Sequence, residues 1–176
     1  MGFFDSLLMS NEKKERLLRW QKLILTNSPD RLIMTEQQLK AATQQQAEND
    51  LRIMNDCYKI VEETIKPDVF FMRLNMLLEK SLRLCSFEQY ISFKGANPSE
   101  AYNEIKTKYQ EAIKQFLIRY FSDTFDKAEA MKTEKGRIGK YQKFYDSLQE
   151  YYKFMDKENI DYIETKYKAY TRHLRG

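Results

Sequence analysis

The residues able to do chemistry are few, and their spacing argues against catalysis. The sequence holds one histidine, His173, close to its last residue. Nucleophilic triads, Cys-His pairs and multi-histidine metal sites all need an imidazole inside a packed pocket, so those chemistries lack their central group. Di-iron carboxylate bundles use two Glu-x-x-His repeats on facing helices, and the sequence has none. The acidic pairs Glu62-Glu63 and Asp123 with Asp126 offer oxygen ligands suited to magnesium or calcium, but their helical positions predict solvated charge. The expectation is a non-enzymatic chain with no cofactor and no metal.

Cys57 and Cys85 stand in helix-like surroundings without a CxxC motif or accompanying histidines. That pattern is neither a disulfide framework nor a zinc site, and it predicts reduced core thiols in a cytoplasmic protein. The first residues carry no basic leader. Charges interrupt every apolar run before the roughly 18 residues that a membrane-spanning helix requires.

The stretch Gly136-Arg137-Ile138-Gly139-Lys140 is short, glycine-bearing and basic. It lacks the GxxxxGK[ST] spacing of a phosphate loop. It matches the GxxG of KH-type RNA binders, whose β-strands the sequence does not supply. A helix-breaking connector is the expected role.

Charge is uneven. The chain carries 30 Lys and Arg against 26 Asp and Glu, and the excess of cations falls entirely after Met131. There lysine interleaves with tyrosine, as in Lys140-Tyr141-Gln142-Lys143 and Lys166-Tyr167-Lys168-Ala169-Tyr170. Aromatic rings stack on bases and cations neutralise phosphates, so Arg137, Lys140, Lys143, Lys153, Lys166, Lys168 and Arg172 are the candidate contacts for nucleic acid. The same tyrosines fall at helical spacing, where their rings serve a core edge or a protein interface.

Near the start, Met1-Gly2-Phe3-Phe4-Asp5-Ser6 satisfies the permissive MGxxx[ST] pattern of N-myristoylation. Phe3, Phe4, Leu7 and Leu8 make a short apolar face, expected to dock on the chain's own bundle or a partner rather than on a membrane.

The elements that must position these groups are helices, since only 5 Gly and 3 Pro interrupt the chain. Ser10 caps a first helix over 11–25, with Leu17, Trp20 and Ile24 in its stripe. A second, long helix starts at Ser28-Pro29 or at the capping box Thr35-x-x-Gln38 and runs to about residue 66. Its distal half has a seam of Leu51, Met54, Tyr58, Val61 and Ile65. Its proximal half, where Thr43-Gln44-Gln45-Gln46 breaks the stripe, is expected to stand in solvent or meet a partner, which makes Gln44 and Gln45 candidate interface residues.

Pro67 opens a third helix over 69–93, apolar on nearly every face and expected to be buried and central. Gly95-Ala96-Asn97-Pro98-Ser99-Glu100 closes it and starts a fourth. A fifth helix is expected after Gly139 and a sixth from about residue 158, pairing as an antiparallel hairpin across 156–159.

The pattern predicts an all-α, single-domain bundle of five to six helices. Residues 132–139 are the candidate hinge between 10–131 and the hairpin 140–174, and 1–9 form a docked or flexible leading segment. The function expected is protein-protein interaction or scaffolding through helix faces, with self-association. A nucleic-acid binder using the C-terminal hairpin is the alternative.

Overall fold

Helix boundaries follow from side chains that satisfy terminal backbone groups. The computed structural model of the chain describes residues 10–95 and 97–172. Its first helix, α1 (Asn11–Ile24), starts where the Ser10 hydroxyl accepts the Lys13 N–H at 3.3 Å. The second, α2 (Glu36–Glu63), starts at the reciprocal capping box: Thr35 N–H donates to Gln38 Oε1 (2.8 Å) and Gln38 N–H to Thr35 Oγ1 (3.1 Å). Of the two starts open from sequence, Thr35 prevails because Ser28 is used elsewhere, accepting from the Gln21 side chain at 2.9 Å.

Pro67 forces the end of α2, since the residue before a proline disfavours α geometry. It opens α3 (Pro67–Phe87). That helix stops earlier than its hydrophobic run suggested, because Tyr90 and Ile91 N–H both turn back to the Phe87 carbonyl. Gly95, at φ 72°, supplies the left-handed residue of the turn. Asn97 then caps α4 (Pro98–Glu129) by accepting the Glu100 N–H at 3.2 Å. Beyond it lie α5 (Glu134–Gln149), a 3-10 turn (Tyr152–Phe154) and α6 (Lys157–Thr171). The fold is all-α, as the periodicity predicts, with six α-helices and no strand among the described residues.

The expected start of α5 is corrected. Thr133 caps it by accepting the Gly136 N–H at 3.2 Å, so Gly136 and Gly139 lie inside the helix and not in a connector. A Cβ added at Gly139 meets nothing within 4 Å, whereas one at Gly136 comes to 3.0 Å from the capping Thr133 hydroxyl. Gly139→Ala is therefore expected to raise stability by about 1 kcal/mol. Gly136→Ala should give no such gain. Urea midpoints of the two variants check the contrast.

The chain clusters into two compact units, one from Met1–Met54 and Glu79–Tyr102, the other from Asn55–Leu78 and Asn103–Gly176. The boundaries fall inside α2, α3 and α4, so each of these helices contributes to both.

In the first unit, α1 buries Leu17, Trp20 and Gln21. The Trp20 indole stacks on Tyr90 (4.7 Å between centroids) and donates to Thr43 Oγ1 at 2.7 Å. Thr43 in turn donates to the Leu39 carbonyl. Gln21 acts as a staple, donating to Ser28 Oγ and the Arg31 carbonyl and accepting from Ile33 and Met34 N–H. Asp50, fully buried on α2, receives both Nε (2.6 Å) and Nη2 of Arg83 from α3. Hydrogen bonding to Asp50 raises the Arg83 guanidinium above its ordinary value. Leu39, Thr43, Ala47 and Asp50 are all buried, so the proximal half of α2 packs along its length and does not stand free in solvent.

In the second unit, Phe70 stacks on Phe116 (4.1 Å) and Phe71 on Tyr151 (4.4 Å), joining α3 and α4 to the turn after α5. Helices α5 and α6 pair antiparallel, with Tyr141 against Tyr170 and Tyr145 against Tyr167. Gln110 of α4 ties down their connection. Its amide donates to the Phe154 carbonyl (3.0 Å), and its Oε1 accepts from Asp156 N–H and from Asn159 Nδ2.

The buried residues of α3 are Phe70, Phe71, Leu74, Leu77, Ser81, Leu84 and Phe87, so the helix is not buried on every face. Met72 and Leu82 face outward and are about half exposed.

Candidate functional site

In the second unit, α2, α3 and α4 leave a half-open groove of about 320 Å³. Its floor is aliphatic: Val61, Leu74, Leu77 and Ile105 are buried, with Ala112 beside them. Helical spacing puts these groups together, since Tyr58, Val61 and Glu62 share one face of α2, and Ile105, Tyr109 and Ala112 recur at three and four along α4. The rim is polar. Tyr58 is 40% exposed, and Glu104 and Lys108 form an i,i+4 ion pair at 2.6 Å.

Each polar group is tuned by its neighbours. Burial, then the charge of Glu104, pushes the Tyr58 phenol up, and burial pushes Tyr109 up. Both therefore remain protonated donors at neutral pH, and Tyr109 spends its proton on Asn75 Oδ1 at 2.6 Å. The Lys108 hydrogen bond lowers the Glu104 carboxyl while Lys108 itself is raised, so both stay charged. At the end of α2, Arg119 Nη2 donates to the Val61 carbonyl (2.8 Å). Burial pulls that guanidinium down, and the charge of Glu62 opposes it.

Such a groove can bind apolar side chains. An aliphatic floor with a half-exposed tyrosine at its edge offers burial to a partner and leaves a phenolic tip wet. Sequence periodicity placed Tyr58 in the α2 seam, but the seam position belongs to Cys57, which is fully buried. Steps of four and three from Met54 through Tyr58 to Val61, or of three and four through Cys57, are equally helical, so spacing alone does not choose between them.

The C-terminal cations lie apart from that groove. Arg137 is exposed, its Nε donating to the Met131 carbonyl, and Lys140 and Lys143 stand on α5. Lys153 covers the ring of Phe154, and Lys166 covers Phe121 and Tyr162 at 4.9 and 5.5 Å. Lys168 pairs with Glu164 at 3.0 Å. Lys168 and Arg172 line a hollow of about 370 Å³ with Tyr145, Tyr167, Glu164 and Thr171. Both cations occupy the last turn or the cap of α6, where they complement the negative end of the helix. The tyrosines there are half-buried and stacked on one another, and Tyr167 donates to Gln142.

Gln44 and Gln45 are exposed on α2. Phe3, Phe4, Leu7, Leu8 and His173 lie outside the described residues. Cys57 and Cys85 are free thiols, and the Cys85 S–H donates to the Pro98 carbonyl. Among the described residues no helix is long and apolar enough to cross a membrane, and no group of three or more His, Cys, Asp or Glu is placed to hold a metal ion. Asp123 pairs with Lys127. Compared with protein-family models, with curated proteins and with solved structures, the chain matches none.

Proposed function

We propose that the chain is a non-enzymatic helical interaction protein whose partner docks in the groove lined by α2, α3 and α4. The observation that carries this is the open aliphatic floor of Val61, Leu74, Leu77 and Ile105 beneath the half-exposed Tyr58. Apolar surface left open between polar rims is stabilised by a partner's side chains, and tyrosine is among the residues that most often dominate such contacts. The proposal includes a reducing, cytoplasmic setting, supported by the two free cysteines.

The test is purification of the tagged chain from its host alongside Tyr58→Ser and Ala112→Trp, the first removing the rim aromatic and the second filling the groove. A partner that co-elutes with the unaltered chain is expected to be lost from both variants while helical dichroism is unchanged. Equal recovery from all three would reject the groove.

A second function, nucleic-acid binding through the hairpin, is favoured by the hollow that gathers Lys168 and Arg172 beside the Tyr145-Tyr167 pair. It requires salt-sensitive retardation of single-stranded RNA or DNA that weakens when Lys140, Lys143, Lys166 and Lys168 are neutralised together. No retardation at low salt would end it.

A further inference from the structure

We infer that α6 is a releasable cover: it opens as one helix and uncovers an aromatic strip of Phe121, Phe125 and Tyr141, with Gln110 as its latch. The strip comes from two helices of the second unit, Phe121 and Phe125 on α4 and Tyr141 on α5. The groups that cover it come from α6. Between ring centroids, Tyr170 lies 5.3 Å from Phe121, 5.7 Å from Phe125 and 5.0 Å from Tyr141, and the Lys166 ammonium sits over Phe121 at 4.9 Å. Beneath them Phe121 and Tyr141 are buried.

Little apolar burial holds the cover down. Among the described residues α6 buries one aliphatic side chain, Ile163, together with the polar Asn159 and Thr171. Its partner α5 buries Tyr141, Phe144 and Leu148. Elements with few buried apolar groups open locally, at a lower free energy than global unfolding. Tyr141 tilts the balance further, because its hydroxyl is buried and has no hydrogen-bond partner among the described residues. A buried donor without a partner penalises the closed arrangement, and water admitted by opening relieves it.

The fastening is polar and lies at the leading end of α6. The Gln110 amide donates to the Phe154 carbonyl at 3.0 Å, and its Oε1 accepts from Asp156 N–H at 3.0 Å and from Asn159 Nδ2 at 3.1 Å. Lys114 and Glu158 pair nearby at 2.7 Å, but both are exposed and water weakens the pair. At the far end Tyr167 donates to Gln142 of α5. Replacing the one amide of Gln110 therefore removes three bonds and leaves every ring contact in place.

Native-state hydrogen exchange of the full chain, followed amide by amide at low urea, tests the inference. The amides from Ile163 to Tyr170 are expected to exchange through a shared opening, about tenfold more populated than the one that exposes Ile113 to Phe121 of α4. Gln110→Met, which keeps the volume, should enlarge the α6 opening by a further factor of about ten and leave the amides of α2 and α4 unchanged. Ile163→Val trims the aliphatic anchor without touching the latch, and should speed the same α6 amides. Equal exchange free energies in α4, α5 and α6 would overturn the inference, because the helix would then leave only with its whole unit. Acceleration spread evenly over the chain in Gln110→Met, or none in α6, would overturn it as well.

Discussion

Replacing Arg83 by methionine is expected to lower the free energy of unfolding by about 4 kcal/mol, the scale of a buried ion pair stripped of one partner. Asp50 has no exposed surface, and without Arg83 its carboxylate loses a two-point charged partner while the Gln46 amide, 3.1 Å away, supplies only a neutral donor. The reverse change, Asp50→Leu, should cost less, because the Arg83 side chain is 32% exposed and can turn its guanidinium to water. Combining Asp50→Leu with Arg83→Met removes both charges and should recover most of the loss, since apolar pairs of similar volume often replace buried ion pairs at little cost. Urea unfolding of the two singles and the double gives the coupling. An Arg83→Met variant within about 1 kcal/mol of the parent would show that the pair contributes little.

The second large effect belongs to Gln21. Leucine there keeps the volume but strands the Arg31 carbonyl and the Ile33 and Met34 N–H groups, all of which Gln21 now satisfies. Part-buried groups left without partners each cost on the order of 1–3 kcal/mol, less where water reaches them. We therefore expect Gln21→Leu to destabilise by about 3 kcal/mol. Hydrogen exchange separates this from a simple packing defect: the Ile33 and Met34 amides should lose protection before those of α1 itself. Unchanged protection at those two amides would argue that the segment holds its shape without the staple.

Both residues also show where sequence periodicity stops being informative. The caps at Ser10, Thr35 and Asn97 and the break at Pro67 are local chemistry, and the helices begin where that chemistry indicates. The buried row of α2 is not local in the same sense. Leu39, Thr43, Ala47, Asp50, Met54, Cys57 and Val61 recur at three and four, but two of them are polar, so an apolar count over this stretch finds a break where the helix in fact packs. Thr43 and Asp50 are tolerated inside because Trp20 and Arg83 meet them. Those partners lie 23 and 33 positions away, and spacing within one helix cannot reveal them. The same holds for α5, where two glycines suggested a loop but a threonine cap and a tyrosine-rich face carry the helix through them.

The candidate groove was legible only in part. Val61, Ile105, Tyr109 and Ala112 stand in the apolar stripes that the sequence displays, yet stripes do not say where three helices diverge enough to leave a gap. The tyrosine-lysine interleaving after Met131 had the opposite fate. Its rings are mostly engaged with one another across the α5-α6 seam, as with Tyr141 and Tyr170, and that use is indistinguishable in sequence from a stacking platform.

The Gln110 latch bears on how copies of this chain can associate. Terminal helices leave their own hairpin and settle in a neighbour's when the connecting segment straightens freely. Here straightening means surrendering the bonds from Gln110 to Phe154, Asp156 and Asn159, and uncovering Asn159, which is 3% exposed. Exchange of α6 is thus opposed at the bend itself, so each chain is expected to keep its own last helix.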